Sequence, residues 1–171
     1  MEKVIYRPLI NSDEPFLWEM LFEAAHMAES KETIAKAKSN PTLSLYVDGF
    51  GHESTDIGFL AVHEISKEKI GAAWIRLLIG DSKGYSFIDN KTAELAMAIV
   101  KNHRNCGIGS KLLHLLIEAT QKKFNAIGLS VRGSNPALRL YKRFGFKVIE
   151  QGEILNRVGG TSYLMKLDLQ Q

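Results

Sequence analysis

The stretch Arg104-Asn105-Cys106-Gly107-Ile108-Gly109 is the most informative part of the chain, because it lies between a predicted strand and a predicted helix. Before it, Leu95 to Val100 is almost entirely apolar, which predicts a central strand covered on both faces. After it, a helical stripe of apolar residues begins, made of Ile108, Leu112, Leu115, Leu116 and Ala119. Glycines let backbone N–H groups turn toward a ligand, and the helix N-terminus carries about half a positive charge. The stretch therefore predicts an anion cradle, with Arg104 adding charge at its entrance.

The sequence patterns of two known nucleotide-binding loops do not match this stretch. The dinucleotide fingerprint needs a third glycine where the chain has Leu112, and no Lys-Ser or Lys-Thr follows Gly109 as a P-loop requires. A plain tight connection between strand and helix has the same pattern. An unrelated nucleotide-binding α/β domain is the weakest alternative, and it predicts binding of ATP or NAD.

Two blocks of the chain resemble the GNAT family of N-acetyltransferases. The family's central signature is Arg or Gln, two residues, Gly, one residue, then Gly or Ala, and Arg104, Gly107 and Gly109 match it. The second block is Asn135-Pro136-Ala137-Leu138-Arg139-Leu140-Tyr141 with Phe144-Gly145-Phe146, which is similar to the family's Asn...Ala...Leu-Tyr...Gly-Phe segment. The blocks stand in the family's order and separation. The resemblance implies an acetyl-CoA-dependent N-acetyltransferase.

The resemblance also implies which residues bind acetyl-CoA. The loop amides hold its pyrophosphate, which assigns Asn105, Cys106, Gly107, Ile108, Gly109 and Ser110, beside Arg104. The backbone of Met97, Ala98 and Ile99 binds the pantetheine arm and polarises the thioester carbonyl.

Asn135 contacts the cofactor in this resemblance, but it stands one residue closer to Tyr141 than in many members, so Ser134 competes with it. Asn followed by Pro is equally typical of a helix N-cap.

Acetyl transfer to an amine calls for a base, because a lysine-like amine with a pKa of about 10.4 is almost wholly protonated at neutral pH. Glu94 opens the apolar strand, where burial makes a carboxylate a better base, so it is the candidate general base, directly or through water. The alternative is that Glu94 is a carboxylate at a strand end whose hydrogen bonds are satisfied by a neighbour.

The resemblance assigns Tyr141 to protonate the departing thiolate. Against this, Ala137, Leu140, Tyr141 and Phe144 share one helix face and are also typical of core.

No pattern selects the acceptor. The first helices and the open end of the sheet offer candidate linings in Glu23, His26, Glu29, Tyr46 and Trp74. Trp74 is interpreted as core and the other four as surface. Small polyamines, aminoglycosides, amino acids and protein N-termini all stay open as acceptors.

Cysteine and histidine chemistry is disfavoured. A thiol at a helix N-terminus is nucleophilic, but Cys106 lies in the proposed diphosphate loop and the family transfers directly from cofactor to amine, so no acyl-enzyme is expected. The histidines show no metal-ligand spacing, and we expect no metal; they are His26, His52, His63, His103 and His114.

Composition bounds the class of protein. A chain of 171 residues with 45% hydrophobic content predicts one domain over 1–171. A single cysteine excludes an internal disulfide and a zinc cluster built from cysteines. The start of the sequence lacks the apolar run of a signal peptide, and no apolar run reaches the roughly 20 residues of a membrane span. We therefore expect a cytoplasmic protein without membrane contact. The net charge of +3 lacks a basic block, which disfavours nucleic acid. A homodimer is compatible with these features.

Hydrophobic periodicity predicts a mixed central sheet flanked by helices, an α/β (α+β) class. The predicted strands are Val4–Pro8, Ile57–Ile65, Ile70–Ile79, Leu95–Val100, Ile127–Arg132, Lys147–Glu150 and Ser162–Leu169. The predicted helices follow Asn11-Ser12-Asp13, cover Lys31–Lys38, begin at Ile108 and cover Pro136–Phe144.

The sequence thus predicts an N-acetyltransferase that works by direct attack of an amine in a ternary complex. A degenerate member of the fold would bind acetyl-CoA as a sensor or assembly module without turnover, and its loop would look identical.

Overall fold

A computed structural model describes residues 2–156 and 158–169 of the protein. Within them the strands are β1 (Val4–Pro8), β2 (Ile57–His63), β3 (Lys69–Arg76), β4 (Ala93–Ile99), β5 (Ala126–Arg132), β6 (Lys147–Leu155) and β7 (Thr161–Asp168). The α-helices are α1 (Glu14–Ala24), α2 (Ile34–Ser39), α3 (Pro41–Ser44), α4 (Ile108–Thr120) and α5 (Ala137–Arg143), and short 3-10 helices cover Asn11–Asp13 and Lys101–His103. The strands form one sheet in the order β1-β2-β3-β4-β5-β7-β6. The predicted class, a mixed sheet flanked by helices, is confirmed.

The two faces of the sheet bury separate cores, because alternate residues of a strand point to opposite sides. Ala72 and Trp74 of β3 pack with α1 and the segment behind it. Ala73 and Ile75 pack with α4, β5 and α5. Trp74 is fully buried and its Nε1 donates to Tyr46 O at 2.7 Å, which confirms its interpretation as core.

Several predicted boundaries are wrong for physical reasons. The predicted strand Ile70–Ile79 ends at Arg76, because its last pair is Arg76 with Glu94 and the partner strand β4 begins only one residue before Glu94, at Ala93. Strand β6 continues past Glu150 to Leu155 through a register shift between Val148 and Glu153.

A short helix was missed after α2. Asn40-Pro41 ends α2 as expected, but Asn40 Oδ1 also accepts bonds from the amides of Thr42 and Leu43, both at 3.0 Å, and so starts α3.

The sheet opens between β4 and β5. These strands are parallel and pair at Ala93–Ile127 and Glu94–Gly128, whereas every other neighbouring pair is antiparallel. Beyond those two pairs, both strands run along the same cleft. The edge of β4 that faces β5 therefore leaves backbone groups available to a ligand.

Candidate active site

A cleft of about 840 Å³ occupies the opening between β4 and β5. Its walls are the end of α1 with the segment to Glu29, the strand residues Leu95–Ile99 and Leu129–Arg132, the loop that precedes α4, and helix α5. A cleft of this volume is large enough to bind a small-molecule ligand the size of a drug, or a larger one. Most of the residues predicted for the site line this one cleft.

The loop before α4 has the shape of an anion cradle. Asn105 and Gly107 have left-handed backbone with φ of 60° and 80°, which turns successive N–H groups toward one side. The first helical bond of α4 runs from Lys111 N to Gly107 O, so the amides of Ile108, Gly109 and Ser110 have no helical acceptor. Across residues 2–156 and 158–169, no acceptor binds the amides of Asn105, Cys106 or Gly107 either. The loop therefore presents a row of free donors at a helix N-terminus.

The predicted loop residues divide into those that line the cleft and those that do not. Asn105, Gly107, Gly109 and Ser110 line it. Cys106 is exposed outside it with its Sγ donating to Arg104 O at 3.3 Å, and the Ile108 side chain is buried in the core beneath α4. Cys106 and Ile108 can thus contribute to the cradle only through their backbone amides.

Arg104 is tied to both sides of the cleft entrance. Its Nε donates to Ile99 O at 2.9 Å, and its Nη2 donates to Glu23 Oε2 of α1 at 3.0 Å. Arg104 lies at the entrance, where the sequence places a charge, and a carboxylate of α1 pairs with its guanidinium. Arg104 fixes the end of β4 against α1.

The predicted strand residues Met97, Ala98 and Ile99 line the cleft floor, beyond the point where β4 and β5 pair. Their other edge is held by β3 through Ala73, Ala72 and Gly71. The backbone groups on the cleft side, other than Ile99 O, which accepts from Arg104, are therefore available to a ligand.

Tyr141 of α5 lines the cleft, and the residue is 6% exposed. Its ring packs edge-on against Phe146 at 5.7 Å, so the core interpretation also holds. In the described part of the chain its hydroxyl has no hydrogen-bond partner. Burial raises the pKa of Tyr141, which keeps the phenol protonated and able to donate.

Asn135 joins the start of α5 to the segment after α1. Its Oδ1 accepts the Ala137 amide at 2.9 Å, as the capping interpretation predicts, and its Nδ2 lies 3.4 Å from His26 Nε2. The competing Ser134 is exposed and does not line the cleft.

Glu94 lies behind the cleft wall and is 1% exposed. Its carboxylate accepts four hydrogen bonds, from Tyr46 Oη at 2.8 Å, Ser86 Oγ at 2.8 Å, Ser86 N at 3.0 Å and Gly84 N at 3.1 Å. Tyr46 and Ser86 line the cleft, whereas Glu94 does not. Any action of Glu94 on an acceptor must therefore pass through Tyr46 or Ser86.

The interpretation of Tyr46 as a surface residue is wrong, because the side chain is 6% exposed and points its hydroxyl at Glu94. Burial, followed by the charge of Glu94, raises the pKa of Tyr46 above its usual value. Ser86 was missed, since it lies in an irregular loop with no motif around it. Gly84 is required here, because a Cβ would collide with Glu94 Oε1 and Tyr46 Oη.

The other acceptor-side candidates bridge the cleft. His26 Nδ1 lies 3.3 Å from Glu29 Oε1, and Glu29 Oε2 accepts from Arg132 Nη1 at 2.9 Å. With the Asn135–His26 contact, these bonds connect the segment after α1 to β5 and α5. Glu23 and Glu29 are the carboxylates in the lining, and each is paired with an arginine.

The family model for the acetyltransferase (GNAT) domain matches residues 54–148. The chain belongs to the GNAT acetyltransferase family. An N-alpha-acetyltransferase of Sulfurisphaera tokodaii is 33% identical over 113 residues, which cover 63% of this chain and 68% of that relative. The family match and this relative confirm the predicted resemblance and the prediction of an acyl-CoA-dependent N-acetyltransferase enzyme.

Solved GNAT structures share the fold. An acetyltransferase from Staphylococcus aureus has a TM-score of 0.70 with 18% identity, covering 98% of this chain and 100% of that one. An aminoglycoside acetyltransferase in complex with coenzyme A has a TM-score of 0.62 with 20% identity, covering 97% and 95%. Among the described residues of this GNAT protein, no helix is long and apolar enough to cross a bilayer.

Proposed function

We propose that this GNAT protein transfers the acetyl group of acetyl-CoA to the α-amine of a peptide by direct attack in a ternary complex. The observation that carries the proposal is the row of free amides at residues 105–110, which opens onto the cleft between β4 and β5. Acetyl-CoA supplies the thioester when bound, and a diphosphate is the group that such a cradle suits best.

The residues present fit this co-substrate. A Cβ at Gly109 would meet Leu140 at 3.5 Å and Ile99 and Met97 at 3.9 Å, so the position faces the cleft floor and the protein leaves it open. The cleft-facing edge of β4 continues from there over Met97 to Ile99. Its N–H and C=O groups, apart from Ile99 O, which accepts from Arg104, suit the amides of a pantetheine arm. An N–H on this edge would also polarise the thioester carbonyl.

Glu94 takes up the amine proton through Tyr46 or Ser86. A proton received by the Tyr46 oxygen is matched by the proton that Tyr46 passes to Glu94, 2.8 Å away, so no phenolate has to form. The raised pKa of Tyr46 favours this concerted route, since a free phenolate would be costly. The C–N bond forms as the C–S bond breaks.

Tyr141 donates a hydrogen bond to the departing sulfur. Because burial raises its pKa, full proton transfer to a thiolate is uphill, and its contribution is electrostatic. Tyr141 lines the cleft and its hydroxyl has no hydrogen-bond partner among the described residues, which leaves it free to donate.

A peptide α-amine fits the site better than a polyamine. Polyamines need unpaired carboxylates, but Glu23 and Glu29 are paired with Arg104 and Arg132. An α-amine has a pKa of about 8, so a substantial fraction is already the free base at neutral pH. The curated relative named as an N-alpha-acetyltransferase supports the same acceptor.

The test is an acceptor screen with acetyl-CoA, in which product is identified by mass spectrometry. Peptides with free N-termini should be acetylated at the α-amine. The same peptides with a blocked N-terminus and an internal lysine should not be acetylated, and neither should spermidine. Initial rates at varied concentrations of both substrates should give intersecting double-reciprocal lines, and Cys106→Ala should keep full activity. Acetyl-CoA binding without turnover on any amine would contradict the proposal and indicate a sensor module.

A further inference from the structure

Two histidines and a glutamate from separate segments meet beside the loop that leads to the cradle. His63 ends β2, Glu68 lies in the turn between β2 and β3, and His103 ends the 3-10 helix Lys101–His103. One ligand atom of each lies within 4.8 Å of the others. Sequence spacing could not show this group, because the hairpin and the 3-10 helix are brought together only by the sheet.

The backbone fixes the three positions independently of their side chains. His63 N donates to Glu68 O at 2.9 Å and Lys67 N donates to His63 O at 3.1 Å, which closes the turn. His103 N donates to Val100 O at 2.9 Å, and Val100 N donates to Ile70 O at 2.9 Å, which ties the 3-10 helix to β3. A ligand would thus find a preformed arrangement.

The side-chain distances need little adjustment to hold a metal. His103 Nε2 lies 3.8 Å from Glu68 Oε1, and the two imidazole rings have centroids 5.0 Å apart. Ligand atoms around tetrahedral zinc, with bonds of about 2.0–2.2 Å, lie a little over 3 Å apart, so small rotations of the exposed Glu68 and half-buried His103 suffice.

The Nδ1 nitrogen of His63 is a second feature that points to a metal ion at this cluster. This nitrogen is buried and has no hydrogen-bond partner among the described residues. Glu2 Oε2 lies 4.0 Å from it, while Glu2 Oε1 is fixed by the amides of Ile65 and Ser66, both at 2.6 Å. A metal-bound imidazole donates from its second nitrogen to a carboxylate, and Glu2 Oε2 has to come closer than 4.0 Å to accept that bond.

We infer that His63, Glu68 and His103 form a site for one divalent transition-metal ion of the zinc type, with Glu2 supporting His63. Two imidazoles and a carboxylate suit Zn²⁺ or Co²⁺, whereas Mg²⁺ and Ca²⁺ prefer oxygen ligands alone. The remaining coordination positions face solvent, since Glu68 is 57% exposed.

The test is a titration of metal-free full-length protein with Co²⁺ alone. The protein carries a removable C-terminal tag, because Glu2 lies near the site, and the tag is cleaved before dialysis against EDTA. We expect visible d–d absorption that saturates at one Co²⁺ per chain and is abolished by Zn²⁺. His63→Gln, His103→Gln and Glu68→Gln should each weaken Co²⁺ binding at least about tenfold. His52→Gln and His114→Gln are matched controls on exposed histidines and should bind as wild type.

Thermal unfolding with Zn²⁺ provides an independent readout, because an ion that binds the folded state raises Tm. Zn²⁺ should raise the Tm of wild type and of both controls, but not that of His103→Gln. Glu68→Gln changes an exposed side chain, so it keeps the test decisive if a histidine variant folds poorly. No saturable Co²⁺ binding by wild type, or equal binding by all variants, would overturn the site.

Discussion

Tyr46 Oη donates a 2.8 Å hydrogen bond to Glu94 Oε1, and Ser86 Oγ donates to the same oxygen at 2.8 Å. The two hydroxyl side chains line the cleft, while the carboxylate behind them is closed off from it. Glu94 is therefore connected to the cleft by hydroxyl groups, and this connection makes separate predictions for the carboxylate and for the phenol.

Glu94→Gln should lower kcat about 100-fold, because general-base help of this kind contributes about 10²–10⁴-fold. The KM for acetyl-CoA should change little, since the cradle is untouched. In this variant a glutamine amide faces the Gly84 N–H, which lowers the free energy of unfolding by about 1–2 kcal/mol. The value of kcat must therefore be expressed per folded molecule.

Tyr46→Phe is the matched variant, because it removes the hydroxyl that we propose as the relay while Ser86 and Gly84 still bind the carboxylate. A smaller loss of kcat than in Glu94→Gln is expected. If both variants lose stability but keep wild-type kcat, the network holds the fold only.

Tyr141→Phe should reduce kcat about tenfold and leave the Kd for acetyl-CoA unchanged, since the ring packing against Phe146 is kept. Tyr85→Phe changes another tyrosine of the cleft lining, which is 47% exposed, and serves as the control with expected wild-type kcat. Stopped-flow measurement of thiol release and calorimetry of binding separate the two quantities. Equal kcat for Tyr141→Phe and wild type would remove Tyr141 from the mechanism.

Asp13→Asn should destabilise the protein by about 2 kcal/mol at pH 7. Asp13 is buried and accepts from Arg7 at 2.7 and 2.9 Å and from Lys69 at 2.8 Å, which joins β1 and β3 to the start of α1. Burial opposes ionisation of Asp13, but the bonds from Arg7, Lys69 and the Ile10 amide outweigh it and hold the pKa well below its usual value.

The sign of the pH dependence follows from that lowered pKa. The stabilising contribution is complete above the unfolded pKa of about 4 and is lost as the pH falls toward the lower pKa of the folded state. Urea unfolding at pH 7 and pH 3 should therefore show a smaller difference between wild type and Asp13→Asn at pH 3. A difference that grows at pH 3 would contradict the assignment.

Local chemistry made much of the fold and the cradle predictable. The glycine spacing at Gly107 and Gly109, the apolar run of β4 and the stripe of α4 are signals within a short window, and the structure places them as expected. Strand ends were less predictable, because β3 ends where its partner β4 begins, and no residue of β3 carries that information.

Long-range contacts account for what the sequence could not show. Tyr46, Ser86 and Glu94 come from a segment after α3, an irregular loop and a strand, so no spacing rule relates them. The same holds for the pairing of Arg104 with Glu23, since the sequence shows a charge in the loop but not the carboxylate on α1 that neutralises it. These contacts depend on how α1–α3 cover the sheet.

Calorimetric titration of wild type, Gly109→Asp and Gly109→Asn with acetyl-CoA tests the diphosphate cradle directly. An acidic residue in the first turn of α4 favours the helix, and a Cβ at Gly109 meets ordinary contacts, so both variants should fold. We expect saturable binding of one acetyl-CoA per wild-type chain, with a far larger loss of affinity in Gly109→Asp than in the equally sized, uncharged Gly109→Asn. No binding by wild type, or equal affinities for the two variants, would contradict a diphosphate cradle at this loop.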